Sequence, residues 1–145
     1  MTLVPGDAPF RVLPQLTDHN RDFWTAGAHG ELRLWRCGAC GYYIHPWQPL
    51  CPQCHSKKIA TEAVSGRAVL ASYTINHQRW MPGPELPYVV AIVEIAEQPS
   101  LRLTTNLVGC AHDRIRIGMP VRVVFEHHAD PDGDIYMPLF EPEVA

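Results

Sequence analysis

Four cysteines carry the strongest chemical signal in this chain. They fall as Cys37-Gly-Ala-Cys40, then ten residues, then Cys51-Pro-Gln-Cys54. Each Cys-x-x-Cys sets two thiolates on a tight turn whose backbone amides can donate to the sulfurs. Two such knuckles make a tetrahedral cage of soft ligands. Gly38 and Gly41 suit the unusual backbone angles of a knuckle, and Pro52 suits a rigid turn. Zinc is the ion this cage fits best, with iron in a rubredoxin-like site as the alternative. One Cys-x-x-Cys could be a redox pair, whereas two at this spacing read as a structural site. A closed four-sulfur site keeps no position open for water, so its metal holds structure and does not catalyse. It would organise residues 35–60, a stretch too short for a core of its own, with binding coupled to folding. His45 and His55 lie near enough in sequence to substitute as ligands, but four thiolates already suffice.

The other reactive residue types form no comparable pattern. Cys110 and His112 sit two apart in Val-Gly-Cys-Ala-His, a spacing that puts both on one strand face without ensuring contact. The eight histidines are scattered, and no nucleophile elbow, phosphate loop, dinucleotide fingerprint or His-Glu-x-x-His helix occurs. His77, Arg79 and Trp80, just before a Pro-rich stretch, are the candidates for contact with a small ligand. Aromatic and basic groups beside a rigid loop can stack on a ring and pair with a phosphate. The net charge of -3 and the lack of a basic stripe argue against a nucleic-acid binder.

The elements that must position these residues are mostly strands. In 145 residues there are 14 prolines and 10 glycines, too many for a helical bundle, while 46% hydrophobic and 19% charged residues suffice for a core. Residues 1–14 read as an extended arm. Thr17 or Asp18 offers an N-cap for a short helix carrying Phe23 and Trp24, with Gly27 or Gly30 as its stop. Residues 31–36 alternate like a half-buried strand leading into Cys37. Strands are then expected over 65–80, 88–96, 101–109, 114–129 (with a Gly-Met-Pro turn) and 135–142. The segment 81–87 is a loop, and Asp-Pro-Asp-Gly-Asp at 130–134 is a turn. Five strands without an intervening helical period predict a small OB-type barrel. The expected class is mainly β, with an arm and docking helix over 1–30, a zinc ribbon over 31–62 and a barrel over 63–145. No apolar run approaches the roughly 20 residues of a membrane span, and the first residues lack a signal-peptide pattern, so a cytoplasmic location is expected.

The ordered features resemble a known family. They are Asn20, Phe23 and Trp24 on the helix, Gly30-Glu31-Leu32, the two cysteine pairs enclosing His45-Pro46, and Ser65-Gly66. Pro87-Tyr88-Val89-Val90-Ala91, Ile117-Gly118 and the closing Pro138-Leu139-Phe140 follow. This set resembles the OB-fold proteins with an N-terminal rubredoxin-like zinc ribbon that accompany thiolase-like enzymes of acyl-CoA metabolism, steroid side-chain aldolases among them. The resemblance implies a non-catalytic accessory subunit of an acyltransferase, thiolase or retro-aldolase in steroid or lipid metabolism. Its partner would be a thiolase-like or lipid-transfer-protein-like subunit, the assembly a heterotetramer, and acyl-CoA would sit at the interface. The catalytic residues would belong to the partner, and the short tail implies a stand-alone subunit. Carried onto this chain, Phe23 and Trp24 become partner-binding residues, and Cys37, Cys40, Cys51 and Cys54 the zinc ligands. A stand-alone acyl-CoA-binding module is the alternative.

Overall fold

The computed structural model describes residues 2–3 and 8–144. Strand β1 is Thr2–Leu3, and an extended arm over 8–16 leads to helix α1 (Arg21–Thr25) and a 3-10 turn at Ala26–His29. Strands β2 (Leu32–Cys37), β3 (Tyr43–Ile44) and β4 (Ile59–Val64) form a three-stranded antiparallel sheet with β2 in the middle. Strands β5 (Arg67–Asn76), β6 (Tyr88–Ile95), β7 (Arg102–Leu107), β8 (Pro120–His128) and β9 (Ile135–Pro142) form the second sheet, to which the short β1 adds in parallel along β8. A further 3-10 turn, His112–Arg114, precedes β8.

The second sheet closes on itself. Its antiparallel neighbours run β9-β8-β5-β6-β7, and β7 meets β9 in parallel at one position, Leu107 opposite Phe140. The result is a closed, mixed, five-stranded barrel, as the strand count predicts. Alternation drives it: Ala68 and Leu70, Val89 to Ile95 in steps of two, and Leu103, Thr105 and Leu107 point inward and are buried. Leu70, Val93, Val121 and Phe140 are fully enclosed. The same apolar cluster continues through Leu32, Leu34 and Trp35 of β2, so ribbon and barrel share one core.

Several expected boundaries move. The helix begins at Arg21, not after Thr17 or Asp18. The Asn20 side chain accepts the Thr17 amide at 2.7 Å and donates to the Gln15 carbonyl at 3.0 Å, closing a turn before the helix. Gly30 is the stop, with φ 72°. The strand expected over 65–80 ends at Asn76, where the Asn76 side chain bonds the Gln78 backbone and turns the chain. The segment expected from 114 begins with the 3-10 turn, and its strand starts at Pro120. The expected 62/63 domain boundary falls inside β4, a strand whose mixed composition hid it. The expected 135–142 strand matches β9.

The 3-10 turn that follows the helix packs close to the barrel. A Cβ on Gly27 would overlap the Tyr136 Cβ and come within 2.6 Å of the Phe125 ring. On the other side, Trp35 donates its indole N–H to the His19 carbonyl at 3.0 Å, and the His19 ring stacks on Trp47 at 3.8 Å. The segment around α1 is thereby fixed between ribbon and barrel.

Candidate functional site

The two cysteine knuckles face each other. Cys37 ends β2, and the 3.5 Å gap between its sulfur and that of Cys54 is matched by 3.6 Å between Cys40 and Cys51. All four sulfurs lie within 4.8 Å of one another. Zinc–sulfur bonds of about 2.3 Å in a tetrahedron require sulfurs about 3.8 Å apart, so these residues fit the ion. The amides of Ala39 and Cys40 donate to the Cys37 sulfur at 3.4 and 3.5 Å, and that of Gln53 to Cys51 at 3.4 Å. The Cys40 amide is the main reason the Cys37 thiol is pulled down to about 6. Cys40 is pushed up to about 12: the Tyr42 amide favours its thiolate, but desolvation and the sulfurs of Cys51, Cys54 and Cys37 outweigh it. Four sulfurs this close cannot all ionise without a cation between them, which is the chemistry that selects a divalent metal. Cys37 and Cys51 are buried and Cys40 and Cys54 exposed, so the centre sits at the ribbon surface.

Neither histidine joins the cage. His45 packs against both Phe23 and Trp35, ring centroids 5.1 and 5.9 Å away, with its Nδ1 lacking a partner among the described residues. Burial pulls its imidazole down to about 4, so it is neutral at physiological pH. His55 is exposed, with φ 62°, on the second knuckle.

The remaining site candidates separate. Phe23 is 4% exposed and lies against Trp24, Trp35 and His45. Its ring is therefore spent on anchoring α1 to the ribbon, because a five-residue helix needs such tertiary contacts to persist. Trp24 stays half-buried and lines a cavity of about 260 Å³ beside β7 and β9. Arg79 and Trp80 line an adjoining groove of about 340 Å³, walled by the arm at Phe10–Val12 and floored by Tyr88, Val90 and Asn106. Trp80 is 77% exposed, its indole N–H reaching Asn76 at 3.3 Å. His77 is exposed too but does not line that groove. Cys110 and His112 border a third cavity beside it, with the Cys110 thiol donating to the Ala111 carbonyl at 3.4 Å.

Sequence reasoning missed Arg11, Asn106 and Glu126, which meet beneath the arm. Both oxygens of Glu126, itself 3% exposed, accept from the Arg11 guanidinium, and His128 Nε2 lies 2.7 Å from one of them. The only local signal was a carboxylate next to Phe125 in a strand, on the face opposite Val121 and Phe125, where a solvated side chain is the ordinary expectation.

Comparison with known proteins gives the same two modules. Residues 24–60 match the ChsH2 rubredoxin-like zinc ribbon domain, and residues 61–126 match the ChsH2 C-terminal OB-fold domain. The four cysteines are thus the structural zinc site of that ribbon. A chain of the solved Ltp2-ChsH2(DUF35) aldolase is 39% identical and superposes with a TM-score of 0.78, covering 91% of this chain and all of that one. A probable enoyl-CoA hydratase alpha subunit of Thermomonospora curvata is 40% identical over 134 residues, 92% of this chain and 40% of the relative. The 3-oxo-4,17-pregnadiene-20-carboxyl-CoA hydratase alpha subunit of Mycobacterium tuberculosis is 35% identical over 121 residues, 83% of this chain and 37% of the relative. The chain thus spans about two-fifths of the length of these two curated relatives. No helix among the described residues is long and apolar enough to cross a membrane. The chain belongs to the ChsH2 family, in which a rubredoxin-like zinc ribbon precedes an OB-fold barrel.

Proposed function

We propose that this chain is a non-catalytic accessory subunit of a thiolase-like acyl-CoA enzyme in the cytoplasm, acting in steroid or lipid metabolism. One observation carries the reading: the chain superposes along its length on a chain of the Ltp2-ChsH2(DUF35) aldolase. The partner is a thiolase-like or lipid-transfer-protein-like subunit that holds the reacting groups, and the assembly is a heterotetramer. The ribbon and barrel supply a rigid surface, because the zinc holds the ribbon's knuckles together and the shared core joins the ribbon to the barrel. Trp24 is the aromatic residue of α1 with surface left to offer a partner. Acyl-CoA at the interface would find Arg79 for a phosphate and Trp80 for a ring on the open side of the barrel groove, with His77 nearby on the same loop.

The test is affinity capture from the native host with the tagged, zinc-loaded chain, followed by thioester assays on the chain alone and on the recovered complex. A thiolase-like subunit recovered near one-to-one, with acyl-CoA turnover only in the complex, is the expected result. Turnover by the pure chain would overturn the accessory role. Capture of no partner, together with micromolar CoA binding by calorimetry, would favour the stand-alone binding module instead.

A further inference from the structure

Three cavities, of about 340, 260 and 640 Å³, adjoin along one face of the barrel, and Arg11 and Asn106 line all three. What divides them is the arm. In extended chain, alternate side chains point opposite ways, and here Phe10 and Val12 face out at 60% and 70% exposure while Arg11 points in toward Glu126. Among the described residues, the backbone of 8–14 makes no hydrogen bond, so the Arg11 guanidinium is the polar tether of this stretch. Pro9 and Pro14 keep the segment extended and limit the entropy it would regain on release. The turn before α1 holds the C-terminal end of the stretch, and further toward the N-terminus the two-residue β1 pairs in parallel with β8.

We propose that residues 8–16 are a strap over the barrel face, latched by Arg11 on Glu126, and that unlatching merges the three cavities into one trough open to a ligand. The chemistry at Glu126 makes the latch releasable. A buried carboxylate left unpaired would be costly, but Glu126 has a second partner in His128, two residues along the same strand and on the same face. When the strap leaves, that contact stays. Under the strap lie Asn106, Tyr88, Val90 and Met137, a floor with apolar walls and few polar groups, which suits a ligand that is mostly apolar.

Trypsin reads the latch directly, because Arg11 is one of its cleavage sites and the exposed Arg79 is an internal reference. In the zinc-loaded full chain, initial cleavage after Arg11 should be at least tenfold slower than after Arg79. In Glu126→Gln it should accelerate at least tenfold, with zinc content and cleavage after Arg79 unchanged. Equal cleavage at the two sites in the parent chain, or no change at Arg11 in that variant, overturns the latch. The variant Arg11→Met leaves Glu126 its His128 partner and so keeps the barrel folded. It should bind the apolar dye anilinonaphthalene sulfonate at one saturable site with at least fivefold brighter emission than the parent. Equal dye binding by the two overturns the gating of the trough.

Discussion

Gly41 and His55 hold the same place in the two zinc knuckles. Each amide donates at 2.9 Å to the carbonyl of its knuckle's first cysteine, and each residue has positive φ, 81° and 62°. The carbonyls that follow, of Tyr42 and Ser56, accept from the amides of Cys37 and Cys51, again at 2.9 Å. The knuckles are near copies of one turn, but only the first has the residue that takes this conformation without strain. Gly41→Ala should destabilise the zinc-loaded protein by about 1 kcal/mol, and His55→Gly should stabilise it by a similar amount. Urea unfolding of the two variants checks both signs.

Metal removal should be felt beyond the ribbon. Native protein should carry one zinc per chain by elemental analysis. Stripping it with a chelator should abolish amide protection in β2, β3 and β4. Because Leu32, Leu34 and Trp35 belong to the same core as the barrel, the barrel's melting temperature should fall as well. Replacing the buried Cys51 by serine should reproduce this loss.

His45 gives the stability a pH dependence of known sign. Its folded-state value of about 4 lies below the 6.5 of an unperturbed histidine, and burial is the cause. Between these values the unfolded chain binds a proton that the folded chain refuses, so stability is complete above 6.5 and falls as pH drops toward 4. The loss amounts to about 3 kcal/mol at most. His45→Phe keeps the ring among Phe23 and Trp35 and removes the titration. The difference in urea midpoint between pH 7 and pH 5 should be smaller in that variant than in the parent, and an equal difference would exclude His45 as its source.

Gly27 tests the seating of the helix. A methyl there meets Tyr136 and Phe125, which are held by the barrel and cannot swing away. Gly27→Ala should cost about 1–3 kcal/mol, despite alanine's higher helix propensity. Thermal unfolding followed by circular dichroism reads the sign: stabilisation would mean that α1 sits further from the barrel.

Adjacent residues of α1 should separate stability from partner capture. Phe23→Ala empties a buried aromatic site and should cost about 3–5 kcal/mol. Trp24→Ala removes a half-buried ring and should cost less, while reducing recovery of the proposed partner subunit severalfold in affinity capture. Undiminished recovery by Trp24→Ala would move the interface to another face.

The parts of this fold legible in the sequence are those that local chemistry decides. Paired Cys-x-x-Cys knuckles specify a metal at short range, the continuous apolar run over 88–96 specifies a strand, and the alternation of Leu101, Leu103 and Thr105 specifies a strand with one buried face. Asp-Pro-Asp-Gly-Asp announces its turn, and β9 lies over 135–142, where the strand after that turn was expected. Strand β4 was hidden because Ile59-Ala-Thr-Glu-Ala-Val64, although half of it is β-branched, lacks the period-2 alternation of a strand with one buried face, and its pairing with β2 supplies what its own pattern does not.

Tertiary structure alone decided the rest. Whether Phe23 faces a partner or the chain's own ribbon is the same in any window of sequence, and the difference is made by Trp35 and His45 arriving on its other side. Arg11 and Glu126 are 115 residues apart, and neither belongs to a motif. A charged residue on the face of β8 opposite Val121 and Phe125 reads as solvated until the path of the arm buries it and brings its counter-charge to it. The sequence by itself determines the metal site and the barrel strands, because their causes act over a few residues. The groove, its strap and the burial of α1 depend on how the strands close and on which surfaces the arm and helix then meet, and those relations exist only in three dimensions.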